Sequence, residues 1–133
     1  MTLGYRVDLT FCYNENMIIG LGNDMESITR VAAVVERTPR FVATILTVAE
    51  QAAAKQRQGK HYAEYLAGRF SAKEAFAKAT GQGIGFDYHW QDIEILNDST
   101  GRPMMSVRGC DDRIHVAITH SGDYVSTVVI IEK

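Results

Sequence analysis

The sequence predicts an α+β domain, with helices in its first half and an antiparallel sheet in its second half. Two patterns predict this class. Apolar residues recur at helical spacing before residue 80, whereas after residue 92 they alternate with polar residues between turn-forming segments. The chain has 133 residues, of which 46% are hydrophobic and 23% charged. That is enough for one domain with its own core, and the composition is that of a globular protein.

The composition also excludes several classes of protein. The longest apolar run, Val128–Ile131, is far too short to span a membrane. The formal net charge of -2 argues against a nucleic-acid binder that relies on phosphate attraction. Two cysteines, Cys12 and Cys110, make neither a disulfide framework nor a zinc site. No secretory leader opens the chain, so we expect a cytoplasmic protein.

The first half of the chain contains the predicted helices. Residues 1–16 form either an edge strand or a flexible extension, and an apolar run at Met17–Gly22 then predicts a buried strand. A helix is predicted from Ser27, an N-cap residue type, to Arg37, with Pro39 marking its end.

Two further helices follow in the sequence. Thr47 and Glu50 have the spacing of a capping box, which predicts a helix running toward Gly59. The longest predicted helix runs from about His61 to Thr80, and a glycine-rich loop, 81–85, ends it.

The rest of the chain predicts antiparallel strands joined by turns rich in Gly, Asp, Asn and Ser. We expect strands around Ile93 and Ile95, at Pro103–Val107, around Ile114, Val116 and Ile118, and at Tyr124–Ile131.

The longest helix carries the first candidate site. At 100° per residue, Ala67, Ser71, Glu74 and Lys78 lie on one stripe, and the two small residues leave room for a ligand. From spacing alone, a solvated Glu–Lys pair of the common i,i+4 kind is the commoner interpretation. Asp24 is a second candidate, either as a metal ligand at a strand end, where glycines admit a ligand, or as a cap of the next helix.

Other reactive residue types carry weaker signals. His120 ends a strand, where a histidine either contacts a phosphate or makes local hydrogen bonds in the turn. Cys110 lies beside Asp111 and Asp112, whose charges disfavour a thiolate. No local motif suggests a Ser-His-Asp arrangement.

Six segments, in order, resemble signatures of the holo-[acyl-carrier-protein] synthases, which are 4′-phosphopantetheinyl transferases. They are IGLGND (19–24), LAGRFSAKEAFAKA (66–79), GIG (83–85), DIEILN (92–97), GRP (101–103) and HVAITH (115–120). The resemblance runs from residue 17 to residue 132. Because relatives begin close to Met17, we expect a single transferase domain over 17–133 and a dispensable or non-native extension at 1–16.

The resemblance implies an activity and its catalytic residues. Such enzymes transfer the 4′-phosphopantetheine arm of coenzyme A to a serine of apo acyl carrier protein and release adenosine 3′,5′-bisphosphate, in support of fatty acid biosynthesis. Asp24 and Glu74 match the two carboxylates that hold Mg²⁺, a cation that prefers oxygen ligands. Lys78 matches the lysine that contacts the phosphates and steadies the leaving group. A water on the metal or one of the carboxylates accepts the serine proton.

The resemblance also implies binding sites and an assembly. The residues matched to coenzyme A contacts are Arg69, Lys78, Gly81, Gly83, His120 and Ser121. Those matched to docking of the acidic carrier protein are Arg30, Arg37 and Arg40, whereas Thr44 occupies a position that is basic in some relatives. Family members of this size are homotrimers with active sites at subunit interfaces.

Two other functions stay open from the sequence. One is a non-catalytic module that binds coenzyme A or a nucleotide without turnover. The other is a structural α+β domain with a charged helix face. The presence of Asp24, Glu74 and Lys78 together favours the enzyme.

Overall fold

The computed structural model describes residues 17–133 and confirms the α+β class. Its elements are β1 (Ile18–Ser27), α1 (Ile28–Arg37), α2 (Phe41–Ile45), α3 (Val48–Lys55), α4 (Gly59–Thr80), a 3₁₀ turn (Trp90–Asp92), β2 (Ile93–Asn97), β3 (Pro103–Val107), β4 (Arg113–Ser121) and β5 (Tyr124–Glu132). The expectations for residues 1–16 lie outside the described residues. Within 17–133, none of the helices is long and apolar enough to cross a bilayer.

The strands form two antiparallel sheets rather than one. The larger sheet has the order β1-β5-β4, and the smaller is the β2-β3 hairpin. β1 therefore lies at an edge of the larger sheet, where Asp24 is opposite Thr127 of β5. Helix α4 packs on one face of this sheet, and Phe76, Ile95 and Val129 are completely buried between the elements. The active-site candidates on β1 and α4 are therefore neighbours.

The predicted helix starts are confirmed. The hydroxyl of Ser27 accepts a hydrogen bond from the backbone N–H of Arg30, so Ser27 is the N-cap of α1. Thr47 and Glu50 form the predicted capping box of α3, which ends at Lys55. The short helix α2 was not predicted, since no side chain caps it.

The two glycines of the Gly-x-Gly segment in β1 allow the strand to pack closely against α4. A Cβ atom on Gly22 would lie 2.0 Å from the carbonyl oxygen of Ala75, and one on Gly20 would lie 2.4 Å from that of Ala79. Both distances are far below van der Waals contact. The expectation that these glycines admit a ligand to the strand is therefore wrong, because the backbone of α4 fills that space. The close approach brings Asp24 against α4.

We expect Gly22→Ala to destabilise the fold strongly, because the new methyl group must push α4 away from β1. Overpacking of this kind costs about 1–3 kcal/mol and sometimes more. Urea unfolding of the two proteins measures the difference. Gly83→Ala is the matched control, since nothing lies within 4 Å of its added Cβ atom. Equal stability of Gly22→Ala and the wild type would contradict the tight strand–helix contact.

Candidate active site

Asp24 and Lys78 form an ion pair that joins β1 to α4. The Nζ atom of Lys78 donates to Oδ1 of Asp24 at 2.9 Å. The Asp24 carboxylate is buried, with 9% of the residue exposed. The Lys78 side chain is exposed and approaches the carboxylate from the solvent side. The second oxygen, Oδ2, is buried and has no hydrogen-bond partner among residues 17–133. Asp24 does not cap α1, as Ser27 does so instead.

Glu74 lies one helical turn before Lys78 and is half-buried. Burial raises the pKa of Glu74, the charge of Asp24 raises it further, and the ammonium of Lys78 opposes both. The pKa of Lys78 is also raised, chiefly by its hydrogen bond to Asp24, so the lysine stays positively charged. The charged groups of α4 thus belong to a cluster shared with the strand, not to the solvated i,i+4 pair that spacing alone favours.

Glu26, which no sequence motif singles out, is a third carboxylate at this site. It lies two residues after Asp24 on β1, and alternate residues of a strand share one face. Burial raises the pKa of Glu26 to about 7, and the neighbouring carboxylates of Asp24 and Glu74 raise it further. Arg30 opposes these effects. Three carboxylates therefore repel one another where β1 meets α4.

This repulsion predicts a pH dependence of stability in the absence of divalent cations. Because the pKa of Glu26 is higher in the folded than in the unfolded chain, its ionisation favours unfolding. Its adverse effect is absent below pH 4.5, grows as the pH rises, and is complete above about pH 7. Melting temperatures measured in EDTA from pH 4 to pH 8 should fall less for Glu26→Gln than for the wild type. Parallel curves would contradict the assignment.

A cavity of about 300 Å³ opens beside these groups. Its lining consists of Glu74, Ala77, Lys78, Gly81, Gln82 and Gly83. The structure therefore brings the predicted glycines Gly81 and Gly83 together with Glu74 and Lys78.

The N-terminal part of the predicted stripe on α4 packs against the sheet and leaves no space for a ligand. Ala67 and Ser71 are completely buried, and the hydroxyl of Ser71 lies 2.8 Å from that of Thr127 on β5. The expectation that these two small residues leave room for a ligand is wrong, because the sheet packs there.

The cluster fits a divalent cation that shares its coordination with a substrate. Oδ2 of Asp24 is a buried acceptor without a partner in the described part of the chain, and a cation would satisfy it while relieving the repulsion from Glu74 and Glu26. Among residues 17–133 no three His, Cys, Asp or Glu side chains are arranged to hold a metal by themselves. Mg²⁺ commonly takes one or two carboxylates together with waters and substrate phosphates.

Arg69, predicted to contact the nucleotide, is engaged within the protein. It is 6% exposed, its Nε atom donates to the carbonyl of Ile95, and its Nη2 atom donates to Oδ1 of Asn97 at 2.9 Å. Its guanidinium also stacks 4.1 Å from the ring centre of Tyr65. These contacts join α4 to β2, and contact of Arg69 with a nucleotide stays a prediction.

His120 and Ser121 lie away from the Lys78 cavity, at the exposed end of β4. His120 lines a second cavity, of about 220 Å³, together with Arg57, His61, Glu64 and Tyr65. Glu64 precedes Glu74 by ten residues, which is about 15 Å along α4. One chain therefore presents the predicted metal ligands and the predicted His120 contact at separate places.

The basic residues predicted for carrier docking are exposed on and just after α1. Arg30 and Arg37 are on the helix, Arg40 follows it, and Thr44 is exposed on α2. Buried Ile28 and Val31 hold the opposite face of α1 against the core.

Comparisons with known proteins point to one family. The sequence model of the 4′-phosphopantetheinyl transferase superfamily matches residues 20–129. The holo-[acyl-carrier-protein] synthase of Leuconostoc mesenteroides is 63% identical over 117 residues, covering 88% of this chain and 86% of that protein. The corresponding protein of Halalkalibacterium halodurans is 47% identical, covering 88% and 98%. A crystal structure of the Bacillus anthracis synthase in complex with CoA (3′,5′-ADP) has a TM-score of 0.82 and 36% identity, covering 88% and 98%.

Proposed function

The chain belongs to the 4′-phosphopantetheinyl transferase superfamily, and on that premise we propose that it is a cytoplasmic, Mg²⁺-dependent holo-[acyl-carrier-protein] synthase. The oxygen of a carrier serine forms a bond to the phosphorus nearer pantetheine in coenzyme A, and its proton passes to a water or to one of the site carboxylates. The pyrophosphate bond breaks, and adenosine 3′,5′-bisphosphate leaves. The observation that carries the proposal is a cavity lined by Glu74 and Lys78, with Asp24 of β1 bonded to Lys78 beside it.

Asp24 and Glu74 are the proposed metal ligands, and Glu26 adds negative charge beside them. Two observations support this assignment: Oδ2 of Asp24 has no partner among the described residues, and burial together with the charge of Asp24 raises the pKa of Glu74, so a cation would compensate both carboxylates. Bound there, Mg²⁺ supplies positive charge against the pyrophosphate of coenzyme A.

Lys78 acts on the phosphates directly. Its side chain is more than half exposed at the cavity wall, and the hydrogen bond to Asp24 orients its ammonium group. A fixed positive charge opposes the negative charge that develops on the departing bisphosphate, and phosphoryl transfer depends mainly on such positioning and electrostatic stabilisation. Gly81 and Gly83 leave the neighbouring wall free of side chains.

The nucleophile belongs to the carrier protein, which must dock beside the cavity. We propose that Arg30, Arg37 and Arg40 receive it, because their exposed cations suit an acidic partner. Single exposed ion pairs contribute about 0–1 kcal/mol, so the arginines act together and mainly on the rate of encounter.

The proposed assembly is a homotrimer with shared active sites. The sheet face opposite α4 carries exposed apolar side chains, among them Leu21, Met25 and Val128. A neighbouring copy packed on that face would bury them. It would also bring its own His120 and Ser121 toward the Lys78 cavity, which would account for the distance between these groups within one chain.

Intact-mass spectrometry of an apo acyl carrier protein tests the function. Incubation with the protein, coenzyme A and Mg²⁺ should add one phosphopantetheine group to the carrier, and EDTA should prevent the addition. No addition, combined with a higher melting temperature in coenzyme A, would favour the non-catalytic binding module. No addition and no change in melting temperature would favour the structural domain.

A further inference from the structure

The turn between β4 and β5 is bonded to the first turn of α1 through Asp123. Its carboxylate accepts hydrogen bonds from the Ser27 hydroxyl at 2.6 Å, from the backbone N–H of Thr29 at 2.9 Å and from the Thr29 hydroxyl. Its carbonyl oxygen accepts the backbone N–H of Ile28 at 2.7 Å. Four hydrogen bonds thus join residues 94 to 96 positions apart in sequence.

The Asp123 carboxylate also orients the Ser27 hydroxyl that caps α1. A serine hydroxyl has one proton, and that of Ser27 is donated to Asp123. An oxygen lone pair of Ser27 therefore faces the backbone N–H of Arg30, 3.2 Å away, which is the cap bond. Without Asp123, the Ser27 hydroxyl is free to rotate, and the first turn of α1 loses its fixed orientation.

Asp123 supplies a charge that α1 does not carry itself. The first turn of α1 has no acidic residue, although the partial positive charge of a helix N-terminus is stabilised by a nearby anion. Asp123 is fully exposed, and its hydrogen bonds to Ser27 and Thr29 lower its pKa, so it is ionised at neutral pH.

We propose that Asp123 is a positioning residue for the carrier protein: it fixes the start of α1 so that Arg30 and Arg37 face the acidic carrier at a set angle to the strand that bears Asp24. The inference rests on the proposed function. Asp123 touches neither substrate, and it acts through the helix.

Asp98 provides a matched control within the same chain. It lies in the turn between β2 and β3, is fully exposed, and accepts hydrogen bonds from the backbone N–H and hydroxyl of Thr100 and from the backbone N–H of Arg102. Its pKa is lowered by the same kinds of bond. The chemistry equals that of Asp123, but these bonds of Asp98 close only its own turn.

Steady-state kinetics with apo acyl carrier protein and coenzyme A separate positioning from general stability. Asp123→Ala should raise KM for the carrier about three- to tenfold, the effect of losing a charged helix-terminal contact. KM for coenzyme A should change less than KM for the carrier, because the Asp123 side chain bonds to Ser27 and Thr29 and not to His120 or Ser121. The value of kcat should change less than about twofold, because the metal cluster is untouched. Asp98→Ala should match the wild type. Thr29→Val, which removes one hydroxyl contact, should also raise KM for the carrier selectively, but by a smaller factor.

A double-mutant cycle shows whether the effect passes through the arginines. In a background of Arg30→Ala and Arg37→Ala, Asp123→Ala should no longer raise KM for the carrier, because the groups it positions are gone. An unchanged effect in that background, an equal rise in both KM values, or behaviour identical to Asp98→Ala would overturn the inference while leaving the function standing. No transfer by the wild-type protein would overturn the proposed function and this inference together.

Discussion

Replacing either proposed metal ligand should abolish transfer while the fold stays intact. We expect Asp24→Asn and Glu74→Gln each to lower the rate by about 100-fold or more, the usual effect of removing a preorganised electrostatic contact in a transition state. The substitutions preserve side-chain shape and remove a negative charge from a crowded cluster, so folding should not suffer. Initial rates at saturating carrier and coenzyme A, over a titration of Mg²⁺, measure the effect.

Asp111→Asn serves as the control for this prediction, because Asp111 is an exposed carboxylate in the turn between β3 and β4. It should keep the wild-type rate and the wild-type dependence on Mg²⁺. A near-normal rate for either Asp24→Asn or Glu74→Gln would contradict the metal-ligand assignment.

Removing the buried cation next to Glu74 should cause the largest loss of stability. Lys73 is completely buried, and its Nζ atom lies 2.6 Å from Oε1 of Glu50, which is also completely buried. The ammonium further donates to the carbonyl oxygens of Ile45 and Trp90. Breaking such a buried pair from one side costs about 3–5 kcal/mol, because an uncompensated charge stays behind. Urea unfolding of Lys73→Met should show a loss of this size.

The partner of the pair allows a stringent check. Glu50 keeps two backbone donors after the lysine is removed, the N–H groups of Thr47 and Ile95. Adding Glu50→Gln to Lys73→Met removes the unpaired charge but turns an amide NH2 group toward one of these N–H groups, so it should restore only part of the stability. The double variant could instead be less stable than Lys73→Met by the full cost of a second broken contact. That result would show that the ion pair is not the source of the lost stability.

Local sequence signals predict the starts of α1 and α3 well, whereas Gly59, the predicted end of the second of these helices, begins α4. The Ser27 cap and the Thr47–Glu50 box depend only on residues three apart, and both are present in the structure. Helix α2 was missed because it is five residues long and without a capping side chain. Its end is held from elsewhere in the chain, as Lys73 donates to the carbonyl oxygen of Ile45.

Long-range packing explains the remaining differences. The sequence places Asp24 at the end of a strand, but nothing local shows that this strand continues to Ser27 and pairs with β5 at the far end of the chain. The same is true of Gly22, whose neighbour is the backbone of α4. Glu26 was within reach of sequence analysis, because period-two alternation from Asp24 places it on the same face. The contacts of Arg69 depend on where α4 crosses β2.

Anomalous scattering from Mn²⁺ tests the central claim most directly. Crystals grown with coenzyme A and Mn²⁺ in place of Mg²⁺ should show an anomalous peak between the carboxylates of Asp24 and Glu74. An oxygen of the coenzyme A pyrophosphate should lie within coordination distance of this peak, and the pyrophosphate should be within reach of Lys78. A peak at other residues, or coenzyme A bound with no peak at Asp24, would contradict the proposed site.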